Sequence, residues 1–177
     1  MKILPQLLIL AAIAASANCE TKVFVSKTQD VSQRSTYTWL PPRLFTKEGV
    51  KENDPEFAPI IREAVNRELT KKGYREVPTG GDLQIMSAGV GVASSQLEAI
   101  LVTYGFAAYD GYYGPMTASP ITRINHEGVL LVALVDPKTN KGIWSGYDSE
   151  ALSGRSSVPK AIDKAASKLF KKLPQKK

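Results

Sequence analysis

The chain has 177 residues, of which 43% are hydrophobic and 23% charged, and its formal net charge at pH 7 is +6. This composition is typical of one globular domain, and a chain of this length buries enough surface to fold without disulfide bonds. Cys19 is the only cysteine and His126 the only histidine, which excludes an internal disulfide and a zinc site with three or four nitrogen and sulfur ligands. The positive charge is mostly lysine near the C-terminus without an arginine-rich tract, so we expect no nucleic-acid partner.

Residues 1–18 have the layout of a secretory signal peptide. Lys2 precedes an apolar run from Leu7 to Ala15, and small residues follow. The apolar run is shorter than the roughly 18–20 residues that a membrane-spanning helix needs. We therefore expect the protein to be exported, with residues 19–177 forming a single domain after a short N-terminal tether.

Two processing sites compete at the end of this segment. Ala15-Ser16-Ala17 fits the A-x-A cleavage rule, and cleavage after Ala17 gives a soluble periplasmic protein. Cys19 directly after the apolar run instead favours a bacterial lipoprotein, in which the thiol carries a diacylglycerol. Asn18 departs from the small residue that normally precedes such a cysteine. We predict lipid attachment at Cys19 and an outer-membrane anchor facing the periplasm, with the soluble form as the alternative.

The first half of the mature chain combines short strands with one helix. Segments 21–25 and 35–40 are predicted strands, the second ended by Pro41, and residues 45–55 are a loop by composition. Residues 54–73 are a predicted helix with Asp54 as its capping carboxylate and Gly73 as its left-handed terminator. Its apolar stripe consists of Ile60, Ile61, Ala64, Val65 and Leu69.

The middle of the chain is less regular. Residues 74–77 and 82–92 are predicted strands, while the apolar run near residue 97 fits a short helix or another strand. An aromatic loop over residues 104–120 either stacks on a ligand or folds its rings back onto the sheet, which is the more common outcome. Its aromatic residues are Tyr104, Phe106, Tyr109, Tyr112 and Tyr113.

Residues 127–136 form the longest predicted strand, and residues 141–152 return beside it after a turn. Because side chains alternate along a strand, one face carries Leu130, Val132 and Leu134 and the other carries Val129, Leu131, Ala133 and Val135. A strand that is apolar on both faces lies in the centre of a sheet, and its second face needs a cover. The aromatic loop, the segment near residue 97 or a partner chain would supply that cover.

A second amphipathic helix is predicted over residues 156–174, capped by Ser156 or Ser157 and ended by Pro174. The fold is therefore expected to be α+β, a largely antiparallel sheet with two amphipathic helices on one face. This last helix also carries a basic face that either contacts anionic lipid or glycan or is simply solvated, which is more common. Its lysines are Lys160, Lys164, Lys168, Lys171 and Lys172.

No catalytic or cofactor motif is evident, so we expect neither a cofactor, a metal site nor an enzyme activity. His126 has no neighbouring nucleophile motif, and the phosphate-loop and dinucleotide-binding patterns are absent. Carboxylates are plentiful but none is singled out by its spacing. Those at predicted turns or strand ends are Asp82, Asp110, Glu127, Asp136 and Asp148.

Four stretches in this order resemble the DUF4136 family of bacterial envelope proteins, which are mostly lipoproteins. They are STYTWLPP (35–42), REAVNRELTKKGYREVPTGGDLQI (62–85), HEGVLLVALVDPKTNKGIWSGY (126–147) and IDKAASKLFKKLP (162–174). The resemblance spans Val23 to Pro174 and departs from the family at Asn18 and over residues 94–119. It implies an envelope domain of unknown function with no catalytic residues to transfer.

The sequence thus favours a non-catalytic envelope lipoprotein that binds a protein or glycan partner. A wall-directed hydrolase that uses carboxylates and His126 is the first alternative. A structural stabiliser of the outer membrane is the second.

Overall fold

The computed structural model describes residues 21–91, 127–152 and 154–176. Strands and helices alternate in the order β1 Thr21–Val25, β2 Thr36–Trp39, β3 Arg43–Thr46, β4 Gly49–Glu52, α1 Phe57–Lys71, β5 Arg75–Glu76, β6 Leu83–Val90, β7 Glu127–Asp136, β8 Lys141–Ala151 and α2 Val158–Lys171. Within these ranges no helix is both long and apolar enough to cross a membrane. The signal peptide, Cys19, the aromatic loop and His126 lie outside the described residues.

The strands form one mixed sheet in the order β1-β8-β7-β6-β2-β5, and β3 joins β6 with β4 beside it. Neighbours in the series β1, β8, β7 and β6 are antiparallel, whereas β2 and β3 both run parallel to β6. β2 pairs with the first half of β6 and β3 with the second half, so the chain that runs along this side of β6 is broken into two strands. Pro41 and Pro42 explain this break, because proline cannot donate a hydrogen bond to a neighbouring strand. The predicted α+β fold with a largely antiparallel sheet is confirmed.

Both helices pack on the same face of the sheet, as the sequence predicts. Leu130, Val132 and Leu134 of β7 face them and are buried together with residues of α1 and α2. The helix residues in this core are Ile61, Ala64, Val65, Leu69, Ala165, Ala166, Leu169 and Phe170. Trp144 of β8 is fully buried in the same layer and stacks on Phe170 with ring centroids 5.3 Å apart.

The opposite face of β7 is also buried. Val129, Leu131, Ala133 and Val135 form a second apolar cluster with Tyr147 and with residues of β3 and β6. The two-sided apolar pattern therefore does mark a central strand, with β6 on one side and β8 on the other. The segments proposed as a cover for this face fall outside the described residues.

The ends of α1 follow the predicted signals. Asp54 Oδ1 accepts hydrogen bonds from the backbone N–H groups of Glu56 at 3.0 Å and Phe57 at 3.1 Å, so this carboxylate caps the turn that enters the helix. At the other end Gly73 has φ +87°, and its N–H and that of Tyr74 bond to the carbonyls of Thr70 and Leu69. These two bonds are the Schellman arrangement, which needs a left-handed residue at Gly73.

The prediction of a loop over residues 45–55 is wrong for residues 45–52. β3 and β4 form an antiparallel hairpin in which Phe45 pairs with Val50, and Gly49 takes φ +126° at the turn. Phe45 is buried, but every side chain of β4 is exposed. An edge strand with solvated side chains has the composition of a loop, which is why composition misidentified it.

Candidate functional site

A cavity of about 220 Å³ lies between the N-terminal halves of α1 and α2 and the sheet. Phe57 and Ile61 of α1 and Val158 and Ala161 of α2 form one side. The sheet side is built from the end of β6, the start of β7, β3 and the end of β8. The described residues on that side are Leu44, Thr46, Gly89, Val90, Gly91, Gly128, Val129, Leu130, Glu150 and Leu152, and α2 adds Ile162 and Ala165.

Leucine side chains lie over the glycines on the sheet side of the cavity. A Cβ added to Gly89 would lie 3.1 Å from Leu44 Cδ1 and 3.7 Å from Ile61 Cδ1, and one added to Gly128 would lie 2.8 Å from Leu152 Cδ1. The ends of leucine side chains therefore occupy the positions that larger strand residues would take. The sheet side of the cavity is bare backbone crossed by flexible apolar side chains.

One carboxylate stands among the described lining residues. Glu150 is 5% exposed, and Lys164 Nζ donates to its Oε2 at 2.7 Å while Lys168 Nζ donates to its Oε1. Asp148 lies two residues earlier on the same face of β8 and is fully buried. The Thr21 hydroxyl donates to Asp148 Oδ2, and Lys168 Nζ lies 3.6 Å from Asp148 Oδ1. We call these five residues the β8 carboxylate cluster.

The two carboxyl groups of the cluster are shifted in opposite directions. Burial raises the pKa of Asp148 to about 6, against the lowering effects of the Thr21 hydrogen bond and the Lys168 charge. Burial acts the same way on Glu150, but hydrogen bonds from Lys164 and Lys168 outweigh it and hold the pKa of Glu150 below its usual value. At pH 7 two carboxylates thus face two ammonium groups, and the wall beside the cavity carries no net charge.

The lysines of the predicted basic face of α2 fall into two groups in the structure. Lys164 and Lys168 bind the buried carboxylate of Glu150, and Lys172 Nζ donates to the Thr21 carbonyl at 3.2 Å. Lys160 and Lys171 are exposed on the same helix. Only some lysines of this face are therefore simply solvated, because Glu150 of β8 lies beneath Lys164 and Lys168.

Sequence reasoning missed the β8 carboxylate cluster. Asp148 was assigned to a strand end, but it lies within β8 and pairs with Leu130 of the central strand. The available signal was the spacing of Asp148 and Glu150 from Trp144, because residues an even number apart share one strand face. That face packs under α2, where a helix with lysines four residues apart reaches both acids.

Two other candidate carboxylates have structural roles. Asp82 accepts hydrogen bonds from the backbone of Ser35 and Thr36 and from the Thr36 hydroxyl, which join the start of β2 to β6. Asp136 accepts from Arg34 at 3.0 Å and from the Lys138 backbone at 2.8 Å, which closes the β7–β8 turn. Neither carboxylate lines the cavity.

The structure does not describe the other candidate residues from the sequence. Cys19, His126 and the aromatic loop residues Tyr104, Phe106, Tyr109, Tyr112 and Tyr113 lie outside the described residues, as do Asp110 and the side chain of Glu127. Over residues 21–91, 127–152 and 154–176, no group of three or more His, Cys, Asp or Glu side chains is placed to hold a metal ion.

Comparison with solved structures places this fold among bacterial proteins. A DUF4136 family protein from Bacteroides thetaiotaomicron is 17% identical with a TM-score of 0.61, and the match covers 90% of this chain and 99% of that one. The PelC dodecamer from Paraburkholderia phytofirmans is 9% identical with a TM-score of 0.52, covering 90% and 99%. A PDZ domain protein from Parabacteroides distasonis is 16% identical with a TM-score of 0.57, covering 90% of this chain but 36% of that one.

These identities are low, so the three proteins establish a shared fold only. No curated protein matches the sequence. The model of the domain of unknown function DUF4136 matches residues 22–175, which include every described strand and helix except the first residue of β1. The chain therefore belongs to the DUF4136 family.

Proposed function

We propose that the protein is a non-catalytic module of the bacterial cell envelope, anchored through a lipid on Cys19, that holds an apolar group of an envelope partner in the cavity. The observation that carries the proposal is the lining of the cavity: its described residues are apolar or glycine except Thr46 and Glu150, and two lysines already bind the Glu150 carboxylate. A site with so few available polar groups recognises by burial of apolar surface.

The chemistry of the lining favours some partners over others. Sugar rings need several hydrogen-bonding side chains together with aromatic platforms, and Phe57 is the one aromatic residue among the described lining residues. An apolar side chain of a protein or an alkyl chain needs neither. The cavity thus supports an apolar ligand group over a glycan.

The anchor is compatible with the start of the fold. β1 begins at Thr21, and the contacts of Thr21 with Asp148 and Lys172 hold that end of the strand to β8 and α2. Processing at Cys19 would leave all of these contacts in place. The expected outcome of fractionation is membrane association of the wild-type protein and release of a Cys19→Ala variant, and equal membrane fractions would contradict the anchor.

The partner-binding role is tested in intact envelopes. We expect crosslinking pull-down of the tagged full chain to recover a partner with the wild type and to lose it with Ala161→Leu, which places a larger side chain in the cavity. Ser167→Leu is the matched control, because it adds the same bulk to α2 at a residue that does not line the cavity. Equal recovery with both variants would overturn the role of the cavity.

One observation supports the hydrolase alternative. Asp148 and Glu150 are neighbouring carboxylates with pKa values moved in opposite directions, as in an acid and base pair, and Glu150 lines the cavity. This alternative predicts that Glu150→Gln abolishes complementation of a deletion phenotype at normal protein abundance. Because the sequence also assigns His126 to the hydrolase, it predicts the same for His126→Ala. Full complementation by both variants would exclude it.

A further inference from the structure

We infer that the cavity binds the single alkyl chain of an anionic amphiphile, with the chain between the two helices and the sheet and the head group at Lys164. The inference deepens the proposed function by naming the ligand class, and it rests on the binding role proposed for the cavity. Fatty acids and lysophospholipids share the required chemistry.

The lining matches an alkyl chain in both polarity and adaptability. Every described lining residue except Thr46 and Glu150 is apolar or glycine, and Glu150 is bound by Lys164 and Lys168. Leu44, Leu152 and Ile162 are only partly buried although they line the cavity. Partly buried aliphatic side chains can change rotamer around a chain of variable length, which suits a ligand without fixed shape.

The glycine of β6 points to a ligand as well. Gly89 lies inside a strand with a φ value that other residues adopt, so its backbone does not require glycine. Glycine in a strand interior lowers stability and often marks a place where another group approaches the backbone closely. Beside Gly89 the nearest side-chain atoms are those of Leu44 and Ile61, which both line the cavity. The flexible end of Leu44 covers Gly89, so a ligand that moves this side chain reaches the strand backbone.

Exposed hydrogen-bond donors beside the cavity suit an anionic head group. Lys164 is 58% exposed and uses one hydrogen bond to hold Glu150, a lining residue, while an ammonium group has three donors. Arg155 pairs with Glu56 and lies 5.7 Å from the ring centroid of Phe57, another lining residue. An anionic head group can therefore bind Lys164 without displacing the contact with Glu150.

The test is a fluorescence titration with cis-parinarate, a naturally fluorescent fatty acid. The protein is the full chain carrying Cys19→Ser, which avoids detergent that would compete for the site. We expect saturable binding that laurate displaces, affinity reduced at least about tenfold in Ala161→Leu, and unchanged affinity in Ser167→Leu. Thermal unfolding of each variant confirms that it is folded.

The head group is tested by changing one charge. In Lys164→Met we expect the Kd of cis-parinarate and the Kd of laurate each to rise about threefold, while the Kd of the uncharged dodecanol stays the same; the competitor values are calculated with the probe affinity of each variant. Displacement by laurate alone would assign a free fatty acid, and stronger displacement by lysophosphatidylglycerol would assign a lysophospholipid. An equal loss for laurate and dodecanol would overturn the assignment to Lys164.

Two results would overturn the inference itself. One is the absence of saturable cis-parinarate binding, and the other is equal affinity in Ala161→Leu and Ser167→Leu. If either occurs while partner capture from envelopes still depends on Ala161, the ligand class is wrong and the proposed function stands. If capture also becomes independent of Ala161, both are wrong.

Discussion

The two ends of the layer between the helices and the sheet are packed differently. At the closed end, where α1 and α2 terminate, large side chains fill the space, and Trp144, Phe170, Tyr74 and Leu173 are all buried. At the open end, where both helices begin, small residues line the cavity, among them Ala161, Ala165, Gly89 and Gly128. The same two helices cover the same sheet at both ends, and the cavity lies at the end where alanines and glycines contribute to the lining.

The residues that stabilise the fold and those of the proposed binding site lie at different ends of this layer. The closed end supplies the dispersion and hydrophobic terms that hold the helices down, since buried aromatic side chains contribute most per residue. The open end makes fewer such contacts, and the cavity beside Ala161 offers room for a larger side chain at that position. Variants that remove side chains should therefore act strongly at the closed end, and variants that add them should act in opposite directions at the two ends.

The largest effect is expected from truncation at the closed end. Phe170→Ala removes the ring that stacks on Trp144 and should lower the free energy of unfolding by about 3–5 kcal/mol. Leu152→Ala at the open end removes a half-buried side chain and should cost about 1 kcal/mol or less. Urea-induced unfolding measures both, and comparable losses would show that the ends do not differ in packing.

A somewhat smaller loss is expected from the β8 carboxylate cluster, which lies between the two ends. Lys168→Met leaves the fully buried Asp148 without its ammonium neighbour and should lower the free energy of unfolding by about 2–3 kcal/mol at pH 7. Lys160→Met is the control on the exposed side of the same helix and should change stability by less than about 0.5 kcal/mol. Equal stability of the two variants would mean that the cluster contributes little.

The same cluster predicts an unusual dependence on pH. The folded pKa of Asp148 is about 6, above its ordinary 3.8, so between these values the folded protein keeps a proton that the unfolded chain releases. The wild type therefore loses stability from this group as the pH rises from about 4 to 6. Asp148→Asn has no such proton to lose, and calorimetric unfolding should show the variant gaining on the wild type by roughly 2 kcal/mol across this window.

Asp136→Asn is the control with the opposite sign. Hydrogen bonds from Lys138 and the charge of Arg34 outweigh burial and hold the pKa of Asp136 below its usual value. Its contribution is therefore present at pH 7 and is lost as the pH falls through the folded pKa. The variant should be less stable than the wild type at pH 7 and approach it in acid. Parallel pH profiles for the two variants would contradict the assigned pKa directions.

Much of the fold follows from local patterns in the sequence. The unbroken apolar run over residues 129–135 predicts that both faces of β7 are buried. The apolar stripe of residues 60–69 and Gly73 predict α1 with its C-terminal turn. These predictions hold because burial and capping act within a few consecutive residues. The β3–β4 hairpin could not be predicted in this way, because an exposed edge strand such as β4 has no apolar pattern of its own.

The candidate site was not predictable in this way. The β8 carboxylate cluster joins Thr21, β8 and α2, which are far apart in sequence, and the lysines alone look like an ordinary solvated stripe. The cavity is lined by residues of both helices and of four strands, and no single segment encodes how these elements come together. Alanines and glycines that look unremarkable in sequence acquire meaning only when they face one another.

The smallest effect is the sharpest test of the hollow end. Ala161→Leu places apolar surface in the cavity and should raise the free energy of unfolding by about 0.5–1 kcal/mol. Ala166→Leu makes the same change five residues further along α2, in the filled core where Ala166 is fully buried, and should cost about 1–3 kcal/mol. Urea unfolding of the pair isolates the site, because helix propensity and residue type are identical. If both variants lose stability, the open end has no room for a side chain. If Ala161→Leu is more stable than the wild type but no longer binds the ligand, then Ala161 serves binding at the expense of stability.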